Sequence, residues 1–300
     1  MTKLSVALLG AGGQLGQTLI ADWAENGQVA GDTLYPFSRE ELDICSPGQL
    51  DEKLGPLGVN VIVNAAAYTQ VDKAEADAEQ AMRVNGQGAT AVAEFAARHG
   101  CRLIHVSTDF VFDGQSSSAY RPDHPTAPLG SYGLSKLAGE QGINRACPSS
   151  SVIIRTSWLY SRYQPNFVTT MVQLMGQRDR LGIVADQIGT PTSTHSLATL
   201  LARVIRDEKA AGIFHWSDAG VASWYDFAVA IQEEALAAGL LKGAIPITPI
   251  TTAEYPTPAA RPAFSVLDKT ESYRCFHMPA IHWRNELRHV IKELKTAEGG

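Results

Sequence analysis

Tyr132 and Lys136 stand four residues apart in Tyr132-Gly133-Leu134-Ser135-Lys136, a spacing that puts both side chains on one face of a helix. A phenol with an ordinary pKa near ~10 is a poor partner for proton transfer at neutral pH. An ammonium beside it stabilises the phenolate and brings its pKa toward the working range. Ser107-Thr108-Asp109 ends an apolar, strand-like run, and the Thr108 hydroxyl is suited to hydrogen-bond both a substrate oxygen and the phenol. The chemistry such a set can perform is protonation of a carbonyl oxygen by Tyr132 while a hydride reaches the carbon, with Lys136 as the tuner. Tyr-x-x-x-Lys also occurs on ordinary surface helices, so its weight depends on the company it keeps.

That company is a glycine loop. Gly10-Ala11-Gly12-Gly13-Gln14-Leu15-Gly16 follows the first apolar run and opens the first helical segment, with glycines at 10, 13 and 16. Such a loop turns tightly, lets the backbone approach a pyrophosphate and presents helix N–H groups and positive dipole character to it. A ligand-free glycine turn is the bland alternative, and its place after the first strand argues against it. Lys136 then has a second use, holding the nicotinamide ribose. After the second strand the chain reads Phe37-Ser38-Arg39, without the acidic residue that grips a ribose 2′-hydroxyl in many NAD enzymes. A hydroxyl and a guanidinium suit a 2′-phosphate, which favours NADPH over NADH. A solvated surface position for Arg39, with Glu40 close by, is the alternative. Asp43 and Ile44 are expected to close over the adenine, and helix capping is the competing role for Asp43.

These residues need a scaffold that brings strand ends to one rim. Leu4–Leu9, Val59–Asn64, Leu103–Ser107 and Val152–Thr156 read as strands; Leu15–Glu25, Ala74–Gly100 and Tyr132–Arg145 read as helical. The alternation is that of an α/β fold with a doubly wound parallel sheet of Rossmann type, whose ligands bind outside the carboxyl ends of the strands. Residues 1–160 form the dinucleotide-binding unit, with later strands returning to it from about 181–217 and 245–252. Residues 161–300 are mainly a second, smaller substrate domain, with helices at Phe167–Gln177, Ser196–Arg206, Tyr225–Leu236 and Ile281–Leu294. Pro246 to Pro262 contains five prolines and reads as an ordered lid or crossing segment.

Composition narrows the partners. The chain has 300 residues, 45% of them hydrophobic and 19% charged, enough for a full core. A net charge of −6 leaves no basic face for nucleic acid, and no apolar run reaches the ~18 residues of a membrane span. The expected location is cytoplasmic. Cys45, Cys101, Cys147 and Cys275 form no C-x-x-C pair, and the eight histidines show no H-E-x-x-H. His277 and His282 lack the spacing that puts two ligands on one helical face. No metal ligand is assigned.

Taken together, the segments resemble the extended short-chain dehydrogenases acting on nucleotide sugars, and within them the dTDP-4-dehydrorhamnose reductase family. The resemblance is carried by Gly10–Gly16, Asn64-Ala65-Ala66-Ala67-Tyr68-Thr69 with Val71-Asp72-Lys73-Ala74-Glu75, Val84-Asn85, and Ser107 through Gly114. Tyr132–Glu140, Arg155-Thr156-Ser157-Trp158-Leu159-Tyr160, Gly189-Thr190-Pro191-Thr192 and Arg261-Pro262 complete it. It implies that Gln14, Leu15, Ala67, Tyr68, Thr69 and Val106 join the cofactor set. It implies that Val71, Thr108, Asp109, Trp158, Asn166 and Arg261 meet a dTDP-linked 4-keto-6-deoxysugar. Trp158 would cover the deoxyhexose ring, and Asn166 and Arg261 the diphosphate. Dehydratases of similar sequence carry an Asp-Glu pair after the threonine; here Phe110 follows Asp109, which supports carbonyl reduction over water elimination. Reductases of other dTDP-4-keto sugars share the motif set, and so does the regulatory β subunit of methionine adenosyltransferase, against which the intact Thr108, Tyr132 and Lys136 argue. The family is associated with a homodimer and with Mg²⁺ at an acidic dimer contact, yet the residue three beyond Thr192 is His195, not an acid. Phe264 stands where relatives often carry a polar Asn.

Overall fold

The computed structural model describes residues 3–24, 32–163 and 165–298; Glu25, the expected end of the first helix, lies outside them. The first half alternates strand and helix: β1 Ser5–Leu9, α1 Gln14–Asp22, β2 Thr33–Phe37, α2 Pro47–Leu54, β3 Val61–Asn64, α3 Val71–Ala76 and α4 Ala78–Ala81. A π-helical stretch, Met82–Gly88, leads into α5 Ala89–His99, then β4 Arg102–Thr108, α6 Ser131–Ala146 and β5 Ser151–Thr156. The expected single helix over Ala74–Gly100 is therefore broken. Asp77, with φ −129°, ends α3, and the π-helical turn passes Asn85 beneath the loop after β3.

The second half holds short strands β6 Leu159–Tyr160, β7 Leu181–Val184, β8 Ile188–Gly189 and β9 Thr192–Ser193 around α7 Phe167–Met175. It continues with α8 Thr194–Arg206, β10 Gly212–His215, β11 Ala222–Ser223, α9 Trp224–Ala237, β12 Ile247–Ile250, α10 Thr270–Phe276 and α11 Trp283–Glu298. Among the later strands expected in the main sheet, β10 joins it, whereas β7 and β12 pair with each other in a separate parallel ribbon. The half-exposed residues of β12, Pro249 among them, suit a ribbon covered on one side by α9 better than a sheet buried on both faces.

The six-stranded sheet runs β2-β1-β3-β4-β5-β10, parallel throughout. Strand residues two apart share a face. Val6, Leu8, Val61, Val63, Ile104 and Ile154 build the core against α1 and α8, while Ala7, Leu9, Ile62, Leu103 and Ile153 build the core against α2 and α5. A third core gathers α7, α9 and α11 around Tyr160, Phe227 and Trp283. From β1 the chain turns first to β2 and then to β3 on the other side, so the sheet switches direction there. Ligands of open α/β sheets bind in the crevice at the carboxyl ends of such strands. Among the described residues, no helix is long and apolar enough to cross a membrane.

Candidate active site

A cleft of about 800 Å³ opens at the switch point and runs from the ends of β1 and β3 across β4 and β5 to α7 and α9. Its floor is backbone. Gly10 sits at φ +86°, and its N–H, with that of Ala11, donates to the Phe37 carbonyl, tying the ends of β1 and β2. A Cβ on Gly10 would stand 2.6 Å from Ala66 N, and one on Gly16 2.4 Å from Gly10 O, so both positions require glycine. A Cβ on Gly12 would meet nothing within 4 Å, since that face looks into the cleft. No side chain caps α1, whose N-terminal dipole is directed at the same space. This open glycine floor at a helix N-terminus fits a dinucleotide pyrophosphate.

Of the residues expected around the cofactor, Gly10, Gly13, Gln14, Leu15, Gly16, Arg39, Asp43, Ile44, Ala67, Tyr68, Thr69, Val106, Tyr132 and Lys136 line the cleft. Ser38 does not. Its N–H donates to the Glu41 carboxylate at 2.7 Å, folding the corner after β2 onto itself. The capping role weighed for Asp43 is taken by Ser46, the N-cap of α2. Asp43 instead accepts from Cys45 N and pairs with Arg83 at 2.9 Å. The Gln14 amide donates to Leu159 O and accepts from Ser161 Oγ, joining the glycine loop to the second half of the chain.

Tyr132 and Lys136 lie in the first turns of α6, which packs hard against the segment after β4. A Cβ on Gly133 would stand 2.2 Å from the Phe110 carbonyl oxygen. Burial pushes the Tyr132 phenol up to about 12; the Thr108 hydroxyl opposes that rise and the Asp109 charge adds to it. The lowering expected from Lys136 is absent. Lys136 Nζ donates to Val106 O at 2.7 Å and lies 3.3 Å from His105 Nε2, the imidazole being held neutral by burial. Burial also brings Lys136 down to about 8, with Glu140 opposing it. Thr108 Oγ1 donates to Asp109 Oδ1 at 3.0 Å, and burial raises that carboxyl to about 6.

On the substrate side, Val71, Thr108, Asp109, Trp158, Asn166 and Arg261 all reach the cleft. Trp158 follows β5 with φ +46°, rare for a bulky side chain, and its indole stacks on Trp224 at 3.6 Å between centroids and 9° between planes. Phe167 backs Trp224 at 4.6 Å. Asn166 is the N-cap of α7 in a reciprocal capping box with Thr169. Arg261 donates to Asp72 at 2.7 Å, which clips the proline-rich crossing segment to α3.

Several residues to which sequence reasoning gave no role hold this geometry. Asn85, 1% exposed, accepts from Tyr68 N and donates to Tyr68 O and Ser135 Oγ, locking the loop after β3 to α6. Glu140 accepts Ser107 Oγ at 2.6 Å and a two-pronged contact from Arg155 at 2.9 and 2.7 Å, all buried. Both Asn85 and Glu140 fall inside segments that carried the resemblance, which was the available signal. Trp224 had none, being one apolar residue at a helix start.

Comparison with known proteins agrees with this arrangement. A dTDP-4-dehydrorhamnose reductase of Aggregatibacter actinomycetemcomitans is 40% identical over 94% of this chain and 97% of its own. A probable dTDP-4,6-dihydroxy-2-methyloxan-3-one 4-ketoreductase of Streptomyces antibioticus is 36% identical over 97% and 96%. The crystal structure of the Bacillus anthracis dTDP-4-dehydrorhamnose reductase in complex with NADP superposes with a TM-score of 0.89 at 34% identity, covering 97% of this chain and all of that one. With residues 4–296 matching the family model described as the RmlD substrate binding domain, the chain belongs to that family.

Proposed function

We propose that the protein reduces the C4 carbonyl of dTDP-4-dehydro-L-rhamnose with NADPH, giving dTDP-L-rhamnose, and that Tyr132 donates the proton. The observation that carries this is the cleft itself, which begins at the glycine floor and brings Thr108, at the carboxyl end of β4, to one wall with Tyr132 and Lys136 of α6. At neutral pH the phenol is protonated, as an ordinary phenol also is, and that is the state a reductase needs at the start of turnover. Held through its pyrophosphate on that floor, NADPH would supply the hydride. Thr108 orients the substrate oxygen toward Tyr132. As the proton leaves, the Thr108 hydroxyl, which already opposes the rise of the phenol, steadies the phenolate, Lys136 keeps its other expected role at the nicotinamide ribose, and solvent then restores the proton. Arg39, which lines the cleft just after β2, supports NADPH over NADH. Trp158, Asn166 and Arg261 form the wall for the sugar and its diphosphate.

The test is NADPH oxidation measured over a panel of dTDP-4-keto-6-deoxysugars, with kcat/KM as the measure of discrimination. Highest kcat/KM on the rhamnose precursor supports the assignment, and no keto-sugar-dependent oxidation overturns it. A preference for another keto sugar keeps the chemistry and shifts the substrate, a reading that the Streptomyces relative's name favours.

A further inference from the structure

Away from the cleft, α8 and α11 bring three metal-ligating side chains together. His195 is the second residue of α8, its N–H held by Ser193 Oγ at 3.1 Å. His289 and Glu293 are four apart on α11 and so share a face of that helix. Ligand atoms of all three lie within 4.8 Å of one another, and among the described residues no other group of three His, Cys, Asp or Glu side chains is so placed. His195 Nε2 stands 2.8 Å from Glu293 Oε2, and the two imidazoles meet edge to face with centroids 5.0 Å apart. Around them, Asp22 Oδ1 lies 3.8 Å from His195 Nδ1, and Arg162 Nε lies 3.9 Å from the other oxygen of Glu293. A carboxylate behind a histidine is what fixes the ring's tautomer and direction when its second nitrogen binds a metal. His195 and His289 also line a cavity of about 260 Å³, which gives an ion a route in.

Family resemblance implies Mg²⁺, and this donor set does not fit it. Magnesium takes near-octahedral oxygen ligands, whereas two imidazole nitrogens and one carboxylate suit zinc and its neighbours. We infer that His195, His289 and Glu293 form a surface site for a divalent transition metal of the zinc class, with Asp22 orienting His195. Bonds of about 2 Å hold two ligands of one ion up to about 4 Å apart, so turning the exposed His289 ring closes the set. Positions left open on the ion fall to water or to a group from outside the chain.

The test is calorimetric titration of the full chain with Zn²⁺ and with Mg²⁺, together with the visible spectrum of the Co²⁺ form. One Zn²⁺ per chain is expected, with no saturable Mg²⁺ binding and a Co²⁺ spectrum free of sulfur charge-transfer bands. His289→Ala and Glu293→Gln should each weaken Zn²⁺ by at least about tenfold, and Asp22→Asn by about tenfold through the second carboxylate. Melting curves without metal show that each variant is folded, and Zn²⁺ should raise the melting point of the parent chain more than that of His289→Ala. Zn²⁺ affinity unmoved by both His289→Ala and Glu293→Gln, a Co²⁺ spectrum showing thiolate ligation, or Mg²⁺ bound as tightly as Zn²⁺ would overturn the inference.

Discussion

At the scale of single residues, the active-site groups are tuned chiefly by burial. Removing the Tyr132 hydroxyl leaves the ring, its edge contact with Phe110 at 5.5 Å and the helix intact, while deleting the proposed proton source. Tyr132→Phe should therefore lower kcat by about 10²-fold or more and leave NADPH affinity nearly unchanged, as read by steady-state kinetics and fluorescence titration. Asp109 has a consequence for stability. Its folded carboxyl, raised to about 6, keeps its proton over a range in which the unfolded carboxyl, near 3.8, has released it. The folded state binds more protons between those values, so stability falls as pH rises through that window. Asp109→Asn cannot ionise and escapes the fall. Its unfolding free energy should gain on the parent's by on the order of 2 to 3 kcal/mol between pH 4 and pH 7, as measured by urea denaturation. The sequence does show the Tyr132 and Lys136 pair, because its spacing is local, and Thr108 as the end of a strand-like run. It does not show where the Lys136 ammonium points, because His105 and the Val106 carbonyl reach it from a strand thirty or so residues away.

Between elements, the critical contact is that of α6 with the end of β4. Gly133 allows the helix to rest on the Phe110 carbonyl, and a methyl group there must push α6 outward. Gly133→Ala should lower kcat by at least about tenfold, since roughly 1 Å of misplacement in a reacting group costs about 10² in rate. Glu140 fastens α6 to both β4 and β5 by joining Ser107 to Arg155. Glu140→Gln leaves the Arg155 guanidinium buried without its counter-charge and should cost about 3 to 5 kcal/mol, visible as a lower denaturant midpoint. Legibility divides along the same line. The β1–loop–α1 unit and α6 could be read because their signals lie within one stretch of chain. The β7–β12 ribbon could not, because its partners are more than sixty residues apart and each is too short to reveal its neighbour. The His289 and Glu293 pair went unread, because its meaning depends on His195 arriving from another helix.

Over the whole molecule, the cleft lies between the cores of the main sheet and the third core around α7, α9 and α11, with Gln14 bridging them. A dinucleotide seated there stabilises the folded chain by mass action: at a hundred times its Kd, NADPH should add about 2.7 kcal/mol and raise the melting temperature by a few degrees. Because the bridge spans both halves, calorimetry should show one transition moving upward rather than one of two. The contrast between floor and walls reaches further still. Where Gly10 rests on Ala66, main chain touches main chain, and no exchange of side chains elsewhere can relieve a change there. The opposite wall, with Trp158 stacked on Trp224, is built of side chains. The two faces of one crevice therefore differ in what substitution can do to them: the floor admits no added side-chain atom, while the wall can be reshaped one residue at a time.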